Sequence, residues 1–407
     1  MNVLITTLGK ARPVSEDSQG VGRYRVARYD FNGEVSSPTS FFGAALREHL
    51  VTRGTPVDRI AILGTSGSMW DAWLELDETL FRGHEDLANR LQSAQNADAA
   101  DEALLQELSA ALSQHAKVPI ECRLIPYGQT EEEQLKILQA ISTCANDGDH
   151  VYMDVTHGLR HLPMLELQSA FLMKSHFETV GIYYGALDRQ SAGIAPVVSL
   201  TGAMRINDWT QAIAILQETG NVAPLARLPG MEKFSKALQK YQFYEQMNNI
   251  ALAQGSALEI LSKLDDLPME GRLFVSDIRK AFDWSEGQNY ARRQLSQARK
   301  AFDNGNYLRA VILLKESLIS AHLFTAEGAG VMFQPKFREK AMEKLKKKHG
   351  EGKSWRLLLD LRNSFAHDGM PGNPRVVQMR QDENAFKLGV EEVFKWVAGL
   401  PEFASQK

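Results

Sequence analysis

His150-Val-Tyr-Met-Asp-Val-Thr-His-Gly-Leu-Arg160 reads as a short strand, residues 150–155, that runs past a carboxylate into a polar loop turned by one glycine. Working outward, β-rich runs at 3–8, 59–63, 120–125 and 180–184 are separated by amphipathic stretches at 38–53, 87–114 and 131–146. Strands alternating with helices predict a Rossmann-like α/β domain with a mostly parallel sheet, in which ligands bind beyond the carboxyl ends of the strands. From about residue 231 the β signal fades. Helical patterns occupy 231–264, 289–304, 307–321, 334–348, 353–367 and 382–398. Gly305-Asn306 separates two of these, and Gly369, Pro371, Gly372 and Pro374 mark a loop, so the C-terminal half is predicted to be all-α. The expected division is 1–205 as the α/β domain, 206–235 as a linker carrying Gly220, Pro224, Pro229 and Gly230, and 236–407 as the helical domain. Whether 271–287 is an inserted subdomain stays open.

A chain of 407 residues exceeds what one hydrophobic core usually serves, which agrees with that division. The apolar runs are far shorter than the roughly 20 residues of a membrane span. Met-Asn-Val-Leu-Ile-Thr-Thr-Leu-Gly9 reads as a first strand and not as a signal peptide, so a cytoplasmic protein is expected. Cys122 and Cys144 are the only cysteines, too few for a disulfide framework or a four-cysteine zinc site. The formal net charge of −4 argues against stable, non-specific coating of DNA, though it leaves room for RNA held locally. Lys336, Arg338, Lys340, Lys344, Lys346, Lys347, Lys348 and Lys353 form a basic run. Its simplest reading is a solvated helix face.

Within the helical half, Leu357-Leu-Leu-Asp-Leu-Arg-Asn-Ser-Phe-Ala-His367 sets Arg362 and His367 at the end of an apolar helix. Metal-free RNA cleavage needs a base for the 2′-hydroxyl, an acid for the leaving oxygen and a cation on the phosphate. Histidine titrates near neutrality and arginine is a fixed bidentate phosphate donor, so the residue types suit that chemistry. Five residues on an α-helix leave the pair roughly 140° apart, so a compact site requires a distorted helix or a second copy across a symmetric dimer. A purely structural alternative pairs Arg362 with Asp360 or Asp368 and makes His367 a helix-terminal polar residue.

In the α/β half, three strand ends carry small or hydroxylated residues: Thr7 and Gly9; Gly64, Thr65, Ser66 and Ser68; and Thr156, His157, Gly158 and Arg160. Such loops expose N–H groups and hydroxyls to an anionic or nucleotide ligand, and Arg160 adds a cation. Neither G-x-x-x-x-G-K nor G-x-G-x-x-G is present, which disfavours an ATPase or a dinucleotide dehydrogenase. Gly64-x-Ser66 resembles the start of a nucleophile elbow, but Ser68 stands where that motif needs glycine. Asp154, His157 and His161 form a candidate metal set, against which stands their simpler role as loop-ordering residues. A plain tight turn is the corresponding simple reading of residues 64–68.

These motifs carry two family resemblances. Arg362-Asn363-Ser364-Phe365-Ala366-His367 resembles the R-x(4–6)-H motif of HEPN ribonucleases, and Gly305-Asn306-Tyr307-Leu308-Arg309-Ala310 is similar to the start of a HEPN core helix. Thr7-Leu8-Gly9, the Leu63–Asp71 run and Asp154-Val-Thr-His-Gly-Leu-Arg160 resemble the CARF domains of type III CRISPR-associated proteins. Together the two cover nearly the whole chain in the order of the CARF–HEPN ribonucleases. The resemblance implies a homodimeric, metal-independent endoribonuclease that cleaves single-stranded RNA in antiviral defence, with no cofactor, activated by cyclic tetra- or hexa-adenylate. It implies that Arg362 and His367 are catalytic with Asn363 in support. It also places the activator on Thr7, Gly9, Gly64, Thr65, Ser66, Ser68, Thr156, His157, Gly158 and Arg160. Thr156 and His157 are candidates for slow cleavage of the activator itself. The main alternative keeps the fold and makes the protein a nucleotide-binding regulator whose helical half is a non-catalytic interaction module.

Overall fold

The computed structural model describes residues 1–10, 24–174, 176–286, 289–366 and 372–403. The chain divides into two compact units, Met1–Asn207 and Asp208–Lys407.

The first unit is built on a seven-stranded sheet of β1 (Asn2–Leu8), β2 (Arg28–Asp30), β3 (Arg59–Gly64), β4 (Ile120–Leu124), β5 (His150–Asp154), β6 (Glu178–Gly185) and β7 (Ile194–Ser199), in the order β2-β7-β6-β5-β1-β3-β4. Every neighbouring pair is parallel except β6 and β7. β1 is apolar along nearly its whole length because helices cover both of its faces. Leu4 and Leu8 enter one core with Ile60, Ile62 and Tyr152, beneath the helices Phe42–Thr52 and Glu102–Ala116. Val3 and Ile5 point the other way and pack with Ala61, Leu63 and Met153 under Glu131–Ser142 and Leu162–Met173. The period of two along each strand thus serves two cores, and each fully buried Leu or Ile contributes roughly 1.5–3 kcal/mol.

After β1 the chain forms β2 at the far edge, then β3 and β4 on one side of β1, and later β5 and β6 on the other. That reversal lies between β1 and β5. In doubly wound sheets this is where the carboxyl ends of the strands open a ligand crevice.

The last two strands on one side of the sheet, β2 and β7, are absent from the sequence reading: both are short and lack a clear alternation. The single helix expected at 87–114 is two helices, Glu85–Asn96 and Glu102–Ala116, broken where Asp98 takes a left-handed backbone conformation (φ 53°). Asp101 begins the second by accepting a hydrogen bond from Leu104 N at 2.9 Å.

The second unit is helical, with no strand among its described residues. Its helices are Glu232–Gln246, Ile250–Leu261, Val275–Phe282, Tyr290–Asp303, Tyr307–Glu327, Pro335–His349, Lys353–Ala366, Pro374–Gln381 and Glu383–Ala398. One core unites them, with Tyr241, Phe282, Leu314, Trp355, Leu358 and Val390 at its centre. The helix expected at 231–264 is broken at Asn248 (φ 53°). Residues 206–235, expected as a linker, are mostly helical instead, and Trp209, Leu216, Val222, Leu225 and Phe234 are buried in this core. Their glycines and prolines end helices inside a packed structure. Residues 271–286 pack there too through Ile278, Phe282 and Trp284, so the segment is part of the same core.

Candidate functional site

At the reversal point, Thr6 on β1 lies level with Asp154 on β5. The Thr6 hydroxyl donates to Asp154 Oδ2 at 2.6 Å, and Thr156 N donates to Oδ1 at 2.8 Å. The carboxylate is fully buried, and desolvation pushes its pKa up to about 6 despite these bonds. Thr7 donates to the His157 carbonyl at 2.5 Å, while Thr156 Oγ1 accepts from Gly185 N at 2.8 Å. Gly9 and Gly158 come so close that a Cβ on Gly9 would stand 2.7 Å from Gly158 Cα. Gly158 itself has φ +117°, which L side chains rarely adopt. Glu166, from the helix Leu162–Met173, is buried beneath this loop, and burial raises its carboxyl well above the usual range.

His157 points into the domain. Its ring stacks on Phe41 at 4.6 Å and meets the edge of Tyr24 at 4.8 Å, and Nε2 accepts a hydrogen bond from Phe42 N at 3.2 Å. Burial pushes its pKa down to about 3, so it is a neutral acceptor at physiological pH. It is already engaged, which removes it as a ready acid or base toward a ligand. The Tyr24 hydroxyl clamps Gly9, donating to its carbonyl at 2.7 Å and accepting from its N–H at 3.0 Å.

The loop after β3 is fastened to the same edge. Ser68 Oγ accepts from Thr65 N at 2.8 Å and donates to the Leu8 carbonyl at 3.0 Å, and Met69 N donates to the Gly9 carbonyl at 3.0 Å. A Cβ on Gly64 would stand 2.7 Å from the Trp70 ring. Thr7, Gly9, Gly64, Thr65, Ser68 and His157 are therefore buried and hold the three loops together. Ser66 and Thr156 are half-buried, and Gly158 and Arg160 are exposed. Ser66 donates its hydroxyl to Asp98, and no histidine among the described residues accepts from it, which leaves the nucleophile-elbow reading without a base. The candidate metal set disperses: Asp154 is held by Thr6, His157 by Phe42, and His161 Nε2 lies 2.9 Å from the Tyr127 carbonyl.

Tyr24, Asp98 and Tyr127 escaped sequence reasoning. Each meets its partner across many positions, and only Asp98 carried a signal, the capping pattern of Asp101 just after it.

In the helical unit, Arg362 and Asn363 lie in the last turn of Lys353–Ala366, whose apolar face buries Leu357, Leu358 and Leu361. Arg362 is half-buried, and its Nη1 donates to Asn363 Oδ1 at 3.2 Å. No carboxylate pairs with Arg362 among the described residues. Asp360, the alternative partner, accepts instead from Asn373 Nδ2 at 2.7 Å. Other arginines of this unit behave otherwise: Arg309 pairs with Glu245 at 3.0 Å, and Arg338 with Glu316. Lys315, half-buried on Tyr307–Glu327, has its pKa lowered first by desolvation and further by the Arg362 and Arg338 guanidiniums, against the opposing pull of Glu316. Arg362 thus acts on Lys315 as a like charge, with Glu316 the opposing carboxylate. Ser364 is buried and donates to the Leu361 carbonyl at 2.8 Å, so it supports the helix end. His367 and Asp368 lie outside the described residues. On the basic helix Pro335–His349, Lys344 and Lys348 pair with Glu327 and Glu402, and Lys336, Lys340, Lys346 and Lys347 are exposed.

No helix among the described residues is long and apolar enough to cross a membrane. Residues 3–188 match the family model for the CARF domain of the CRISPR system endoribonuclease Csx1. The chain is also 24% identical, over 411 aligned positions, to the CRISPR-associated protein MJ1674 of Methanocaldococcus jannaschii. That alignment takes in 90% of this chain and 62% of the relative, so the chain spans less than two thirds of the protein it matches. A mostly parallel sheet with its loops tied at the strand reversal, a CARF match over most of that unit and a CRISPR-associated relative together support a CARF-containing accessory protein of the type III CRISPR kind.

Proposed function

We propose that the protein is a homodimeric, metal-independent endoribonuclease that cleaves single-stranded RNA when cyclic oligoadenylate occupies its α/β unit, and that its helical unit is a HEPN domain. The observation that carries this reading is Arg362, a half-buried guanidinium with no carboxylate partner among the described residues, set beside Lys315. Glu316, the opposing charge on Lys315, already pairs with Arg338, so the two cations have room for a further anion, and a scissile phosphate is such an anion. Arg362 stabilises the charge that builds on the phosphate, and Asn363 steadies the guanidinium. His367 takes the 2′-hydroxyl proton and returns one to the leaving 5′-oxygen, giving a 2′,3′-cyclic phosphate and a free 5′-hydroxyl. The second copy supplies the other Arg–His pair of a composite cleft.

In the α/β unit the direct contacts to the activator come from the exposed and half-buried groups, Ser66, Thr156, Gly158 and Arg160. Thr7, Gly9, Gly64, Thr65, Ser68 and His157 shape the loops that present them. The activator switches cleavage on by binding the active arrangement more tightly than the resting one; a ligand with equal affinity for both shifts nothing.

The test is cleavage of a fluorescent single-stranded RNA in excess EDTA, with and without cyclic tetra- or hexa-adenylate, comparing wild type with Arg362→Ala and His367→Ala. Cleavage that needs a ring and both residues supports the reading. Ring binding with no RNA cleavage would instead favour a nucleotide-binding regulator with a non-catalytic helical module.

A further inference from the structure

Asp98 occupies the turn between Glu85–Asn96 and Glu102–Ala116 with φ 53°, a conformation that costs a non-glycine residue energy and persists only when its surroundings hold it. Two loops hold it here. The Ser66 hydroxyl, from the loop after β3, donates to Asp98 Oδ1, and the Tyr127 hydroxyl, from the loop after β4, donates to the same oxygen at 2.5 Å. Ala100 N donates to the Ser66 carbonyl at 3.3 Å, tying the turn to the first loop. Both strands are parallel members of one sheet, so Asp98 stands over their carboxyl ends, on the side where the activator loops lie. Its side chain is exposed, and Oδ2 has no hydrogen-bond partner among the described residues. The two hydroxyl donors keep the carboxyl below its usual range, and Lys10 after β1 acts in the same direction.

An ionised carboxylate accepts hydrogen bonds and donates none. Placed beside a site for a polyanion it repels phosphate, so it is costly unless a ligand donor meets it. A 3′,5′-linked adenylate ring has two kinds of donor, the exocyclic amine of adenine and the ribose 2′-hydroxyl. The hydroxyl stands beside the phosphates that Asp98 repels. The amine lies at the far end of the base. We infer that Asp98, fixed through Oδ1 by Ser66 and Tyr127, reads the exocyclic amine of an adenine through Oδ2 and so sets base specificity in the activator site. This rests on the adenylate-binding reading above.

The experiment compares binding of cyclic oligoadenylate with a ring of the same size whose bases are purine without the 6-amino group and with a 2′-deoxy ring. The proteins are wild type, Asp98→Ala and Asp98→Asn, full length, with far-UV circular dichroism checking each fold. A hydrogen bond to a charged acceptor predicts that wild type prefers the amino-bearing ring by about tenfold or more, that Asp98→Ala loses this preference, and that Asp98→Asn, whose amide oxygen still accepts, keeps part of it. Loss of overall affinity with the preference intact marks Asp98 as structural and overturns the inference. So does a wild type that discriminates against the 2′-deoxy ring but not the ring lacking the amine. Failure of wild type to bind any adenylate ring removes the activator reading itself, with Asp98's role in it, whereas binding with unchanged preference in both variants removes only Asp98's role.

Discussion

At the scale of single residues, charge and burial separate the groups open to solvent from those that build the loops. Arg362→Ala is expected to lower RNA cleavage by about 10²–10³-fold, the cost of losing one transition-state donor. Arg362→Lys is expected to recover only part of it, because an ammonium lacks the bidentate fork. Neither change should move stability by more than about 0.5 kcal/mol, since Arg362 makes no ion pair among the described residues. A large drop in unfolding midpoint would reassign it to structure. His157 gives a prediction in pH. Its folded pKa of about 3 lies below the 6.5 of a free imidazole, so the unfolded chain binds that proton first and the fold loses stability as pH falls through this interval. Asp154, raised from 3.8 to about 6, has the opposite sign: its protonated form adds stability at low pH that is lost as pH rises through 6. Glu166, also raised, follows Asp154. His157→Gln should therefore show a smaller loss of thermal stability between pH 7 and pH 5 than wild type. An equal or larger loss would mean that the imidazole is not the acid-sensitive group. These burial states were not legible in the motif itself, since Asp-Val-Thr-His-Gly-Leu-Arg reads the same whether His157 faces a ligand or Phe41.

At the scale of elements, glycines and caps decide where helices and strands stop. Gly9→Ala forces a Cβ to within 2.7 Å of the Gly158 backbone, which cannot yield as a flexible side chain would. The expected cost is about 1–3 kcal/mol, seen as a lower melting transition of the α/β unit by calorimetry, together with weaker ring binding. Asp101→Ala removes the cap on Leu104 N and should cost about 1 kcal/mol. The existence of the helices was legible because their periodicity is local. The breaks at Asp98 and Asn248 were not, because a non-glycine residue in left-handed conformation interrupts a helix without interrupting its apolar spacing. Residues 206–235 misled for a related reason: glycine and proline mark helix ends equally in a linker and in a packed core.

At the scale of the whole molecule, ligand linkage offers a check that needs no mutation. A ring that binds only the folded α/β unit stabilises it by about 2.7 kcal/mol at 100 times its dissociation constant. The α/β transition should then rise in temperature as ring concentration rises; an unchanged transition would argue that the loops do not hold the ring. By itself the sequence determined the order of units, the mostly parallel sheet of the first and the helical nature of the second. Each of these follows from patterns a few residues long, periods of 2 and 3.6 and short motifs, which neighbours along the chain suffice to specify. Tertiary structure alone decided which loop residues face inward, that Asp360 bonds Asn373 and not Arg362, and that Ser66, Asp98 and Tyr127 meet. The last three are separated by 32 and 29 positions, and the pairing of β3 with β4 brings their loops to one edge. Contacts of that range depend on strand order, which hydrophobic spacing along the chain does not encode.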